Sequence, residues 1–224
     1  MKRMNDRKRY KFNEGFTLVE LIVVLVILSI LAAVLVPALL GYIDKAKEKQ
    51  SLQDAQYCIT AIQAELTQLY GKEGGKVKLG TPVISGGKNV AAGNADINIT
   101  STTFAENVLK LAELDEKPYC LLCGIGSNAP GTDDKTTLHD KYTVLFLFYM
   151  KTKDSSPMFY FNGEWSHTYP RAGKSDKLMN SQNVIQEGVF KGKRVQMYAI
   201  SNEAWRDHDK FGSVTFWNWV RSYN

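Results

Sequence analysis

The chain has 224 residues, 44% of them apolar, 11% aromatic and 23% charged, with a formal net charge of +5, which suits one sizeable core rather than two. Glycine without a three-residue period, only three cysteines, and four Trp, eleven Tyr and ten Phe exclude collagen, a disulfide-dense mini-scaffold and wholesale disorder. Six basic residues stand against two acids between Met1 and Gly15, a local net of +4, while the rest of the chain, with 22 basic and 21 acidic residues, has no steering field for a polyanion and no evident nucleic-acid site.

Leu21 to Ile43 is a run of 23 residues without a charged side chain, which as a helix is about 35 Å long and spans a bilayer. Basic residues dominate before it, and the segment after it, Asp44 to Lys49, mixes three lysines with two acids, so the charge bias puts the N-terminus in the cytoplasm and the bulk of the chain outside. The run is longer than the roughly 7–15 residues of a cleaved secretory signal. A plain signal anchor is the simpler alternative, but two details at its edge stand out. Glu20 places a carboxylate at the start of an apolar helix, where an acid usually has a partner. Gly15, directly before Phe16, gives a sterically open backbone at the junction of the basic tail and the apolar segment, as a protease requires.

Gly15-Phe16-Thr17-Leu18-Val19-Glu20, the apolar run and Pro37 twenty-one residues beyond Phe16 together resemble the class III signal of type IV prepilins and pseudopilins, over about residues 11–50. The resemblance implies cleavage after Gly15 by a prepilin peptidase, N-methylation of the new amine on Phe16, and pairing of Glu20 with the Phe16 amine of a neighbouring subunit during assembly. Opposite charges that are each costly alone in an apolar medium set register when they pair. Pro37 lacks an N–H and is expected to kink the helix or let it loosen locally.

After Pro37, Leu52, Ala55, Ile59, Ile62, Leu66 and Leu69 recur at spacings of three and four, an apolar stripe with Lys49, Gln53, Asp54, Gln63 and Gln68 as the polar face. One helix from about Thr17 to Tyr70 is expected, stopped by Gly71 and the Gly74-Gly75 pair. Residues 72–98 read as loop with brief strands near Val77 and Ile97. Thr103-Phe-Ala-Glu106 has capping-box spacing and opens a short helix, Phe104 to Leu114, with Leu109, Leu111 and Leu114 available for burial. Tyr142 to Met150 is a continuous β-branched and aromatic strand. Met158–Phe161 and Glu164–His167, joined by Asn162-Gly163, read as a hairpin with a type I′ turn. Val184–Phe190 and Arg194–Ile200 suggest a second hairpin, and Val214–Val220 a further strand or a short closing helix. These pieces favour an α+β architecture, a long N-terminal α-helix packed on an antiparallel β-sheet head, which is also what the resemblance implies. The division expected is a leader (1–15), a transmembrane and polymerisation helix (16–43), the amphipathic half of that helix (44–70) and a globular head (71–224).

For Cys58, Cys120 and Cys123 three readings stay open: a disulfide with one thiol left over, a zinc site completed by a ligand such as His139 or Asp140, and buried free thiols. No cysteine follows Cys123, so the C-terminal staple of many Gram-negative pilins is absent. Gly124-Ile-Gly126-Ser-Asn-Ala129 fits a dinucleotide pattern by letter only, because the turn-forming Pro130 to Asp134 follows where a helix is needed. His139, His167 and His208 are scattered. Asp207-His-Asp209 reads as a solvated turn, and Asn98-Ile-Thr100 is a glycosylation acceptor by pattern alone. The aromatic group Trp205, Phe211, Phe216, Trp217 and Trp219 reads as sheet core before ligand platform.

The expectation is a non-enzymatic pilin, major or minor, held in the cell membrane by a single span before assembly and in a surface filament afterwards. Its partners would be copies of itself, other pilins, the prepilin peptidase and an inner-membrane assembly platform; adhesion, motility and DNA uptake are its candidate services. A head of about 150 residues is large for a competence-type pseudopilin. A pseudopilin of a secretion or competence system, or a monomeric signal-anchored binding protein, is the alternative.

Overall fold

The structure, a computed structural model, describes residues 15–73, 80–82, 97–100, 102–126, 142–170, 178, 184–202, 219–220 and 222–223. They divide into two units, one ending at Lys47 and the other beginning at Glu48. Helix α1 is Leu18–Glu73. It continues through Pro37 and Gly71, so Gly71 does not act as the expected stop, and Gly74 and Gly75 lie outside the described residues.

Among the described residues the head is built on a seven-stranded sheet. Its strands are β1 (Gly80–Pro82), β2 (Ile97–Thr100), β3 (Cys120–Gly126), β4 (Val144–Met150), β5 (Met158–Phe161), β6 (Glu164–Ser166) and β7 (Val195–Asn202), with helix α2 (Thr102–Leu111) between β2 and β3. The spatial order is β1-β2-β7-β3-β4-β5-β6. From β7 to β6 every pairing is antiparallel; β2 then lies parallel to β7, and β1 antiparallel to β2. The α+β architecture expected from the sequence is therefore present.

Both faces of this sheet are covered. On one face Ala55, Cys58, Ile62 and Leu66 of α1 and Phe104, Val108 and Ala112 of the α2 segment pack with Leu121, Cys123, Leu147 and Tyr149. On the other, Cys120, Leu122, Phe146, Phe148 and Phe159 pack with Tyr169, Leu178, Ile185, Trp219 and Val220. A strand covered on both sides needs no polar alternation, which is why β4 reads Val-Leu-Phe-Leu-Phe-Tyr-Met with every residue buried. The pairing of β3 with β4 steps from Gly124↔Phe146 to Ile125↔Val144. Leu145 is the extra residue of that bulge, and it joins Phe146 on the face away from α1.

Polar contacts fix the helix on the sheet. Lys151 Nζ donates to Asp54 Oδ2 at 2.7 Å, and the Tyr149 hydroxyl reaches the same oxygen at 3.4 Å. The Gln63 amide donates to the Tyr142 carbonyl and accepts from the Val144 N–H at 3.2 Å, supplying strand-like partners at the entry to β4. Glu65, 6% exposed, accepts from Asn107 Nδ2 at 3.2 Å. Asp54 and Gln63 therefore belong to the docking face, although their chemistry assigns them to the solvent side of the stripe.

The β5–β6 hairpin turns as expected. Asn162 (φ 55°) and Gly163 (φ 86°) both take positive φ, the type I′ geometry that matches strand twist. The second expected hairpin is only a stub. Val184 bridges Arg194, the Ile185 N–H donates to the Lys193 carbonyl at 3.0 Å, and residues 186–192 form the loop between them. The true neighbours of β7 are β2 and β3, so the C-terminal strand is inserted into the sheet rather than paired with the segment just before it.

Helix α2 starts one residue before Thr103, so Thr103 lies within the helix instead of capping it, in a Ser-Thr-Thr run that offers several starts. Its buried line is Phe104, Val108 and Ala112, four residues apart, which leaves Leu109 and Leu114 half-buried and Leu111 exposed, contrary to the expected face. Strand β3 has no counterpart in the sequence reading. Asn98 sits in β2, paired on both sides with Pro82 and Tyr198. Of the C-terminal segment, Trp219 and Val220 are helical and buried, whereas Trp205, Phe211, Phe216, Trp217 and the strand expected near Val77 lie outside the described residues.

Candidate functional site

The N-terminal unit begins at an open position. Among the described residues no atom beyond its own chain neighbours lies within 4 Å of where a side chain would stand on Gly15, and Phe16 is 88% exposed. Thr17 then caps α1. Its hydroxyl accepts from the Glu20 N–H at 3.2 Å, while its own N–H and hydroxyl donate to Glu20 Oε2 at 2.8 and 2.7 Å. This reciprocal pattern is the capping box, Thr at the cap and Glu three residues on. It satisfies two donors that a helix start leaves open and fixes the Glu20 carboxylate one turn from Phe16. The sequence carries this signal plainly as Thr17-x-x-Glu20, the same spacing that Thr103 and Glu106 show.

Beyond the cap, every residue through Gln50 is exposed, including the whole uncharged run from Leu21 to Ile43. The Ser29 hydroxyl donates to the Leu25 carbonyl at 2.7 Å, so this polar group in the run is satisfied within the helix. Pro37 has no N–H to give to the turn before it, and the helix is maintained on both sides of it. This helix is long and apolar enough to cross a membrane.

The cysteines form no centre. Successive strand residues face opposite sides, so Cys120 packs in the cluster away from α1 and Cys123 in the cluster beneath it. C-x₂-C spacing on a strand thus separates the two thiols that a shared metal or a mutual disulfide would bring together. Cys58 lies under α1 on the Cys123 side, and all three are buried free thiols. The zinc and disulfide readings are therefore corrected. Among the described residues no group of three His, Cys, Asp or Glu side chains is placed to hold a metal, and His139, Asp140, His208 and Asp207-His-Asp209 lie outside those residues.

Burial pushes the Cys58 thiol up to about 12, with the Asp54 charge adding to it, and burial also pushes Cys123 up to about 12; the fully buried Cys120 is raised as well. These groups stay protonated and are poor nucleophiles. Burial and then the Asp54 charge raise the Tyr149 phenol far above its ordinary range, which keeps it a donor. Gly124 and Gly126 lie inside β3, so the dinucleotide-like pattern is a strand rather than a phosphate loop.

The chain is similar to known proteins, in part at this N-terminal unit. The family described as the prokaryotic N-terminal methylation motif matches residues 11–36. The type IV major alpha-pilin of Moraxella bovis is 29% identical over 123 residues, covering 55% of this chain and 67% of that protein. No solved structure matches. Pilins are structural subunits, not enzymes. The methylation motif at residues 11–36, the similarity to a major pilin over two thirds of that protein, and a long apolar N-terminal helix followed by a largely antiparallel sheet make the chain similar to type IV pilins.

Proposed function

We propose that this protein is a shaft-forming pilin, major or minor, of a surface filament that serves adhesion, motility or DNA uptake. Residues 1–15 are the leader, 16–43 the membrane and polymerisation helix, 44–70 its amphipathic half and 71–224 the head. The observation that carries the reading is the first turn of α1: an open Gly15-Phe16 junction, a Glu20 carboxylate whose recorded partners are both on Thr17, and an uncharged apolar helix with every residue exposed. Such a surface is stable only in lipid or against other apolar helices.

A prepilin peptidase would cut after Gly15 and methylate the Phe16 amine. In the membrane Glu20 is held by its own Thr17; in the filament it receives the Phe16 ammonium of a neighbour, a pairing that removes two charges from an apolar medium at one position and so sets register. Pro37 supports local loosening of the helix during packing. An inner-membrane platform would extract the subunit from the bilayer and place the head at the cell surface.

Mass spectrometry of the mature N-terminus tests the proposal. A chain beginning at N-methylated Phe16 is expected, and a surface protein that retains residues 1–15 would instead be a signal-anchored monomer.

A further inference from the structure

His167 follows β6, the edge strand, and its two ring nitrogens meet two acceptors. Nδ1 is 2.8 Å from the Pro157 carbonyl oxygen, in the loop before β5, and Nε2 is 2.7 Å from Glu48 Oε1 on α1. A carbonyl oxygen can only accept, so Nδ1 carries a hydrogen. The 2.7 Å contact between Nε2 and a carboxylate oxygen then requires a hydrogen between them as well. Both contacts are satisfied together when the ring is an imidazolium bonded on both sides. A neutral ring has a single N–H and must leave one of these acceptors unpaired.

The position of the pair gives this proton a structural consequence. Glu48 is the first residue of the head unit, and nearby Trp165 of β6 is half-buried against the cluster beneath α1. We propose that His167 is a proton-dependent latch that ties the start of the head-borne part of α1 to the β5–β6 hairpin, closed when the imidazole is charged and released when it is neutral.

The charges around it agree with this reading. On α1, Asp44 and Lys45 lie one turn before Glu48, and Lys49 follows it. In the loop before β5, Lys151 is paired with Asp54, and Lys153 and Asp154 each hold an interaction of their own. On the side of β6, Glu164 is exposed and the Ser166 and Thr168 hydroxyls bond each other at 2.9 Å. Glu48 is the anion recorded against the ring among the described residues.

The sign follows from proton count. The closed state binds the extra proton, so closure is favoured at low pH and lost as pH rises. The side chains of His167 and Glu48 are 39% and 53% exposed, so the effect is that of a partly screened pair.

The test uses the full chain in detergent micelles. Imidazole nitrogen NMR at pH 6 is expected to show both His167 nitrogens protonated, and amide exchange at residues 48–52, corrected for intrinsic rates, is expected to be about two- to fivefold slower at pH 6 than at pH 8. Glu48→Gln and His167→Gln should each flatten that dependence without unfolding the head. A ring with one protonated nitrogen at pH 6, equal protection of residues 48–52 at the two pH values, or a pH dependence kept in Glu48→Gln overturns the latch.

Discussion

Gly124 is a tightly enclosed position in the sheet. It lies in β3 between β4 and β7, and a methyl group built there would stand 2.6 Å from Val195 Cγ1, 2.8 Å from Met197 Sδ and 3.2 Å from Phe146 Cβ. Carbon atoms pack at about 3.5–4.0 Å, so the valine contact alone demands a movement on the order of 1 Å. The methionine can swing aside. Val195 is β-branched with few alternative rotamers, and Phe146 Cβ moves only with its backbone. Overpacking of this kind destabilises by about 1–3 kcal/mol, while replacing a strand glycine returns about 0.5–1 kcal/mol of backbone entropy. Gly124→Ala is thus expected to lose about 1–2 kcal/mol, or roughly 2–8 °C in Tm at this chain length. Thermal unfolding followed by near-ultraviolet circular dichroism in detergent reads it. Val195→Ala in the Gly124→Ala background should recover part of the loss, because it removes the closest methyl group. A Gly124→Ala chain as stable as the parent, or a double variant no better than the sum of its single changes, would refute the packing argument.

Lys151→Met leaves the Asp54 carboxylate, whose side chain is 17% exposed, with only the long Tyr149 contact. A loss of about 1–3 kcal/mol is expected in denaturant unfolding, and Asp54→Asn in the same background should restore part of it. The thiols and Tyr198 fix an alkaline limit. Burial raises Cys58 and Cys123 from an ordinary 9.0, and Tyr198 from 10.0, to about 12. A group raised on folding contributes its full stability below its unfolded value and loses that contribution as pH climbs to the folded one. Stability should hold up to about pH 9 and fall between there and about pH 12, and native thiols should resist alkylation at pH 8 until the chain is unfolded; rapid labelling of the folded protein at pH 8 would contradict their burial. Phe148→Ala, which removes a ring packed tilted against Phe159 and edge-on to Trp219, should cost about 3–5 kcal/mol by the same denaturant measurement. Glu20→Val should still be cut after Gly15 but assemble poorly when filaments are counted by electron microscopy, and unimpaired filaments would discredit the pairing role.

The N-terminal unit and the β5–β6 hairpin were legible in the residues because their signals are local. An uncharged run of bilayer length, a Gly-Phe junction and an Asn-Gly turn each act over a few neighbours. Strand β4 was legible for a related reason, since burial on both faces writes itself as an unbroken apolar run. Strand β3 was not. Two glycines and two cysteines conceal a central strand, and the reason for Gly124 lies in Val195 and Met197, some seventy residues later. The cysteine alternatives stayed open until the strand existed, because only its alternation separates Cys120 from Cys123. Asp54 and Gln63 were assigned to solvent by their chemistry, and their partners Lys151, Tyr142 and Val144 come from distant sequence. The second hairpin failed for the same reason: adjacency favours pairing neighbours, but β7 gains more from β3, which lends it a full-length antiparallel partner.

The insertion of β7 between β2 and β3 also dictates the order in which the head can be completed. Seven residues of β3 and the parallel edge of β2 have no partner on that side until residues 195–202 have been made. A growing chain therefore carries two open strand edges, one of them wholly apolar, from the completion of β3 at Gly126 until β7 begins at Val195, and such edges pair readily with other chains. Long-range closure of this kind is also slow. Anchoring α1 early, which holds each unfinished head at a fixed place and apart from its neighbours, gives the last strand time to find the gap reserved for it.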